Sequence, residues 1–187
     1  MDSRKVAAIV VLSALSIGTN YAMLFFFNVK FMDLIVFVGG FCFGPLVGGL
    51  IGILSWAVYG TLNPLGFSLP IWLATMFSEA IYGVGGGLVK KLLGSNGSIE
   101  LTNNRVYICV FFGALGMVLT FCYDFITNIV FGYVNNINLV LAVIIGFVPF
   151  GLVHTLSNAF FFGLGGLPAI NTILRVVGGE NSVVPKE

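Results

Sequence analysis

Residues 31–62 read FMDLIVFVGGFCFGPLVGGLIGILSWAVYGTL. This stretch decides the fold, because it is longer than the roughly 20 residues that one membrane-spanning helix needs. Pro45 divides it into two apolar runs, 31–44 and 46–62, and a proline inside a helix kinks or ends it. The stretch is therefore either one long helix or two short ones, and its apolar character alone does not decide between them.

The distribution of positive charge favours two helices. If the stretch crosses a membrane twice, seven of the eight Lys and Arg residues lie on one side and only Lys30 on the other. Such an excess marks the cytoplasmic side of a membrane protein. A single crossing would place Lys90, Lys91 and Arg105 on the side opposite Arg4 and Lys5. The charges therefore predict six spans, with both termini in the cytoplasm.

Composition agrees with a protein that lies in a lipid bilayer. Of the 187 residues, 58% are hydrophobic and only 8% are charged, whereas soluble domains carry about 25% charged residues. No basic cluster is present that would bind nucleic acid. The three cysteines stand alone without a CxxC pair, so we expect neither a metal site nor a cofactor.

The apolar runs and the polar breaks between them predict an all-α integral membrane protein. We expect a single transmembrane domain over residues 1–187, built as a six-helix bundle with a short second helix. Gly146 and Pro149 mark a break before the last helix, which leaves a short surface segment ahead of it. The predicted helices span about 5–27, 31–44, 46–62, 69–91, 106–133 and 149–174.

Three ionisable residues, Glu79, Asp124 and His154, lie inside apolar helices. A charged side chain costs about 2.5 kcal/mol or more if it faces lipid, so such residues normally face the bundle interior and mark a site. Each has polar neighbours at helical spacing, which forms one narrow stripe per helix. These neighbours are Thr75 and Tyr82; Thr120, Thr127 and Asn128; and Ser157 and Asn158. Three stripes on three helices predict a shared polar cavity.

The depth of these residues along their helices, at 1.5 Å per residue, predicts that the cavity opens to the outside. A cavity for a ligand is the favoured interpretation. Two others stay open: hydrogen bonds between helices, worth about 0.6 kcal/mol per pair, and a path for ions or protons.

Residues near the membrane surface allow more than one interpretation. Lys30 is the only outward cation, and it either closes over a bound solute or snorkels to the surface. Trp56 and Trp72 are interpreted as interfacial anchors rather than ligand contacts. On the first helix, Ala14 and Gly18 form a small-xxx-small spacing that lets another helix approach closely.

Three stretches carry a resemblance to a known family: FCFGPLVGGL at 41–50, YDFITN at 123–128, and PFGLVH at 149–154 with Asn158 after it. With the predicted topology, they resemble the substrate-binding S component of energy-coupling factor (ECF) vitamin transporters. The resemblance implies that a solute binds near the outer face, among helices 4 to 6 and the loop after helix 1. The residues implicated are Glu79, Tyr82, Asp124, Asn128, His154, Asn158 and Lys30.

The resemblance also implies partners. In the family, small residues of helix 1, typically AxxxA, dock on a membrane-embedded coupling subunit, and separate subunits hydrolyse ATP. The corresponding residues here are Ala14 and Gly18, with Val10 where a further alanine is expected, so the docking surface is only partly matched. The chain itself has no GxxxxGK[ST] motif for ATP.

The predicted function is the capture of a small water-soluble vitamin or related metabolite at the cell membrane. The alternatives are a small ion- or proton-coupled carrier or channel and, with less support, an intramembrane enzyme with Asp124 and His154 as catalytic residues. No GxSxG or HExxH motif accompanies these residues, so we predict no catalytic site. Two buried acids and one distant lysine favour a cationic or donor-rich neutral solute, unless Glu79 pairs with His154.

Overall fold

The computed structural model describes residues 1–63, 66–93 and 105–177. These residues form helices and turns and contain no β-strand, which confirms the all-α prediction. The helices are α1 Ser3–Ala22, α2 Met32–Phe43, α3 Pro45–Thr61, α4 Leu69–Leu92, α5 Arg105–Val134, α6 Leu139–Gly146, α7 Leu152–Phe160 and α8 Gly166–Val177.

Local sequence explains where several of these helices begin. Asp2 caps α1 by accepting a hydrogen bond from the backbone N–H of Arg4 (2.9 Å), and Asn138 caps α6 in the same way. Between α2 and α3, Gly44 has φ 101° and Pro45 opens the next helix. A positive φ favours glycine, and proline fits the first turn of a helix because it needs no amide donor there. Residues 31–62 therefore form two helices.

Two helices depart from their predicted bounds. The first ends at Ala22 rather than near residue 27, and Phe25 to Phe27 lie exposed in the connection to α2. The segment before the last predicted helix folds into the short helix α6. Val148 follows it in an extended conformation (φ −114°, ψ 115°), and this kink separates α6 from α7. A π-helical turn at Phe161–Gly165 then joins α7 to α8.

Glycines bring α2, α3 and α4 into close contact. Gly83 of α4 lies against the backbone of both Gly40 in α2 and Gly48 in α3, so that a Cβ on any of the three would overlap its neighbours. Small residues allow this approach between membrane helices, where packing rather than a hydrophobic driving force holds the helices together. These three helices form the most closely packed part of the bundle.

Apolar side chains occupy both the interior and the outer surface. Aromatic residues such as Phe37, Phe112 and Phe162 are fully buried in the core, whereas Val118 on α5 and Leu156 on α7 are about 60% exposed. Within the described residues, three helical stretches are long and apolar enough to cross a membrane: Ser3–Ala22, Arg105–Val134 and Leu139–Val177. An apolar exterior of this kind is expected where lipid is the solvent.

Candidate functional site

A histidine joins two acids at the centre of the bundle. His154 on α7 places Nε2 2.6 Å from Oδ2 of Asp33 on α2, and Nδ1 3.0 Å from Oδ1 of Asp124 on α5. Asp33 and His154 are fully buried and Asp124 is 7% exposed. One imidazole ring therefore connects three helices that are distant in sequence.

The network continues away from the histidine through neutral polar groups. Asn158, one turn after His154, donates from Nδ2 to Asp33 Oδ2 (2.6 Å) and to Thr120 Oγ1 (2.7 Å). The hydroxyl of Tyr82 on α4 lies 3.0 Å from the same Thr120 oxygen. Groups buried this deeply need hydrogen-bond partners, and these residues supply some of those partners to one another.

Hydrogen-bond geometry fixes the charge of the three central groups. A carboxylate only accepts hydrogen bonds, and a neutral imidazole has one N–H. Both nitrogens of His154 face carboxylate oxygens, so a second proton must lie on the imidazole or on one carboxyl group. In either case Asp33, His154 and Asp124 together carry one net negative charge.

Glu79 does not pair with His154. Its Oε2 accepts a hydrogen bond of 3.0 Å from the indole Nε1 of Trp56, and both residues are buried. Glu79 is also close enough to Asp33 for the two carboxyl groups to interact. The acid on α4 therefore orients an aromatic ring of α3 and lies beside the buried acids of the cluster.

Lys30 lies over the aromatic side of this cluster. Its Nζ is 4.8 Å from the centre of the Tyr123 ring and 5.4 Å from that of Trp56, distances at which a cation is attracted to the ring faces. The residue is half-buried, and its ammonium group lies against ring faces inside the bundle. Of the two interpretations of Lys30, this position favours a role at the solute site.

A cavity of about 500 Å³ opens above these rings, a volume typical of small-molecule sites. Its polar side chains come from two connections, from α4 and from α5, and they are Asn28, Lys30, Asn63, Ser68, Thr75, Asp124, Thr127 and Asn128. Its aromatic side chains are Trp56, Phe67, Trp72, Tyr123, Phe131 and Phe150. The cavity thus offers ring faces for stacking and a few polar groups for orientation.

The connection between α1 and α2 lies beside the cavity mouth. Asn28 donates from Nδ2 to the carbonyl of Phe150 (2.8 Å), and the rings of Phe27 and Phe150 are 4.5 Å apart. Asn28 itself has a positive φ of 49°, which asparagine tolerates better than most residues. These contacts fix the connection to the kink that follows α6.

The predicted site residues separate into two groups. Lys30, Asp124 and Asn128 line the cavity. Glu79, Tyr82, His154 and Asn158 are fully or almost fully buried behind it and hold the lining in place. Ala14 and Gly18 lie elsewhere: both face outward on α1, and no atom lies within 4 Å of the position that a Cβ on Gly18 would take.

Sequence reasoning missed three members of the site. Asp33 comes directly after the polar segment at 28–30 and so resembles a residue of the membrane surface, yet it is fully buried. Trp56 and Trp72, which were interpreted as interfacial anchors, both line the cavity. A signal for Asp33 was present, since an acid in the first turn of an apolar run requires a buried partner. For the tryptophans, composition gives no such signal.

Comparison with known proteins agrees with the resemblance noted in the sequence. Residues 4–164 match the family model described as the ECF transporter, substrate-specific component. No curated protein and no solved structure matches the chain. The match spans most of the chain and includes every residue of the polar network and of the cavity. The chain therefore belongs to the substrate-specific (S) components of ECF transporters, which bind a transported solute and are not enzymes.

Proposed function

We propose that the chain captures a small water-soluble vitamin or a related metabolite in the cavity above Trp56 and Tyr123. The observation that carries this proposal is the composition of the cavity wall. Ring faces, amide side chains and one carboxylate surround about 500 Å³, and such walls bind a flat polar solute by stacking and by a few directed hydrogen bonds. As an S component, the chain would deliver this solute to its transporter.

The proposed orientation places the cavity at the outer face and both termini in the cytoplasm. The connections between α1 and α2 and between α3 and α4 surround the opening, and they contain Lys30 as their one described cation. Lys90 and Lys91 lie in the last turn of α4, roughly 30 Å from its cavity end. Labelling of a single cysteine at Leu92 from outside the cell would contradict this orientation.

Delivery is proposed to require separate chains. Ala14 and Gly18 are small and face outward on α1. Another membrane helix can therefore approach this face of α1 closely. A membrane-embedded coupling subunit would dock there, and ATPase subunits bound to it would drive release into the cytoplasm.

The proposal is tested by mass spectrometry of small molecules extracted from the purified full-length protein. We expect about one solute per chain, because the single described cavity of this composition holds one small molecule. Asp124→Asn should lose most of it, since an unsatisfied polar contact costs about 1–3 kcal/mol. That cost is roughly a 5- to 150-fold weaker affinity.

Phe125→Leu is the matched control, because Phe125 follows Asp124 on the same helix and is 44% exposed. This variant should retain the solute. Protein that is folded and carries no small molecule, whatever cell extract it has been exposed to, would contradict the proposal.

A further inference from the structure

The ammonium group of Lys30 lies where two aromatic rings converge. Tyr123 and Trp56 are 2% and 6% exposed, and their ring centres are 4.8 Å and 5.4 Å from Nζ. Rings that are shielded from water attract a cation more strongly than exposed rings do. This pair of rings is therefore a cation site, and the Lys30 ammonium occupies it.

The two rings are fixed by contacts that do not involve Lys30. The Trp56 indole donates to Glu79 and packs edge-on against Tyr59, with ring centres 5.2 Å apart. The Tyr123 ring packs edge-on against His154, with centres 5.7 Å apart. Lys30, in contrast, belongs to the connection between α1 and α2. Of the two partners, the rings are preformed, and the lysine is the one that a solute can displace.

The balance of charge disfavours an anionic solute. Asp33, His154 and Asp124 carry one net negative charge, and ionisation of Glu79 would make it two. Lys30 brings the total for these five residues to zero or to one negative charge. An anionic solute would add a further negative charge, which is costly where water is excluded. A cation in place of Lys30 keeps the buried acids compensated.

We propose that the transported solute carries a positive charge beside an aromatic ring, and that its cation replaces the Lys30 ammonium over Trp56 and Tyr123. The inference rests on the proposed function of the cavity and names the chemical class of its solute. The remaining wall supports the ring of the solute, because Phe67, Trp72, Phe131 and Phe150 offer aromatic surface around the same space.

The test uses three probes with the same indole ring and different charge at pH 7: tryptamine, tryptophol and indole-3-acetate. Binding is measured by titration calorimetry on the full-length protein in lipid nanodiscs, after dialysis to remove bound solute and with empty nanodiscs as the blank. We expect tryptamine to bind at least as tightly as tryptophol in the wild type, because the ring contact that its cation gains is offset by the Lys30 contact that it displaces. Indole-3-acetate should bind more weakly than tryptophol.

Substitution of Lys30 distinguishes two roles for this residue: competing with the solute cation for the rings, or contacting the bound solute. Lys30→Met keeps the length of the side chain and removes its charge, so it should tighten tryptamine binding about tenfold and change tryptophol binding much less. Lys5→Met is the matched control, because it changes the net charge equally at the exposed start of α1. This control should leave the affinities for all three probes unchanged.

Three results would overturn the inference: tighter binding of indole-3-acetate than of tryptamine, no binding of tryptamine, or weaker tryptamine binding in Lys30→Met. None of these results contradicts the proposed function. That proposal is tested with the solute that the protein itself retains, and not with these three probes. A retained solute without a positive charge would likewise overturn this inference and leave the proposed function intact.

Discussion

The side chain of His154 connects several elements of the bundle. Its two ring nitrogens hold Asp33 and Asp124 from separate helices, and its ring supports Tyr123. Removing one partner of a buried ion pair is expensive because the other charge is left without compensation. The residue therefore serves stability first and the solute only through Asp124 and Tyr123.

His154→Gln should lower the stability of the solute-free protein by about 3–5 kcal/mol, the usual cost of breaking a buried pair. Glutamine has a single amide nitrogen, whereas histidine has two ring nitrogens that point to the two acids in different directions, so glutamine cannot replace both contacts. The measurement is the thermal unfolding midpoint of purified protein without added solute. Ser157→Ala is the control, because the Ser157 hydroxyl only donates to the His154 carbonyl of its own helix (3.0 Å). Equal midpoints for the two variants would show that the network stabilises little.

Asn158 illustrates how far the sequence predicts a single residue. Its spacing from His154 correctly placed it on the interior face of the last helix, since helical periodicity fixes direction. Periodicity does not determine whether an interior residue lines the cavity or lies behind its lining. Asn158 is fully buried and donates to Asp33 and Thr120, so it belongs to the supporting network rather than to the lining. The predicted polar stripes therefore contain both residues that line the cavity and residues that hydrogen-bond between helices.

Among the elements, α2, α3 and α4 depend on close backbone contact. The break at Gly44 and Pro45 was predictable, because proline and glycine act on the backbone locally. The close contact of Gly40, Gly48 and Gly83 was not predictable, since many glycines in the chain have no backbone neighbour at this distance. Nor was the π-helical turn at Phe161–Gly165, which no local residue preference dictates.

Adjacent glycines on α3 provide a sharp test of this crossing. Gly48→Ala places a methyl group against the backbone of Gly40 and Gly83, whereas Gly49→Ala meets only ordinary contacts, 3.5 Å from a methyl group of Val84. Overpacking typically costs about 1–3 kcal/mol, so Gly48→Ala should lower the thermal midpoint and the yield of monodisperse protein. Gly49→Ala should be close to the wild type. The reverse order would show that the helices are not in contact at Gly48.

For the whole molecule, the proposed function assigns capture of a solute and its delivery to different surfaces. The cavity lies among α3 to α6 and the connection after α1, whereas Ala14 and Gly18 face outward on α1. Changes on one surface should therefore leave the process at the other surface unaffected.

Gly18→Trp should abolish uptake in cells that contain the complete transporter and leave solute binding to the purified chain nearly unchanged. The reason is steric: small-residue contacts require close approach of two backbones, and one large side chain prevents it. Uptake is measured with the solute that the protein retains, and binding with the same compound. Val118→Trp, on an exposed position of α5, controls for bulk on the lipid face. An equal loss of binding and uptake in Gly18→Trp would place α1 in the solute site.

The position of Lys30 also has a kinetic consequence. An ammonium group attached to the protein stays at a fixed effective concentration near its rings, however dilute the medium outside becomes. In the proposed exchange, a solute that leaves the rings is replaced at once by the lysine, which opposes recapture of the same molecule. The lysine lowers the affinity of the protein for the solute when the solute first binds. It also opposes rebinding of the solute on the side of the membrane where the solute is released.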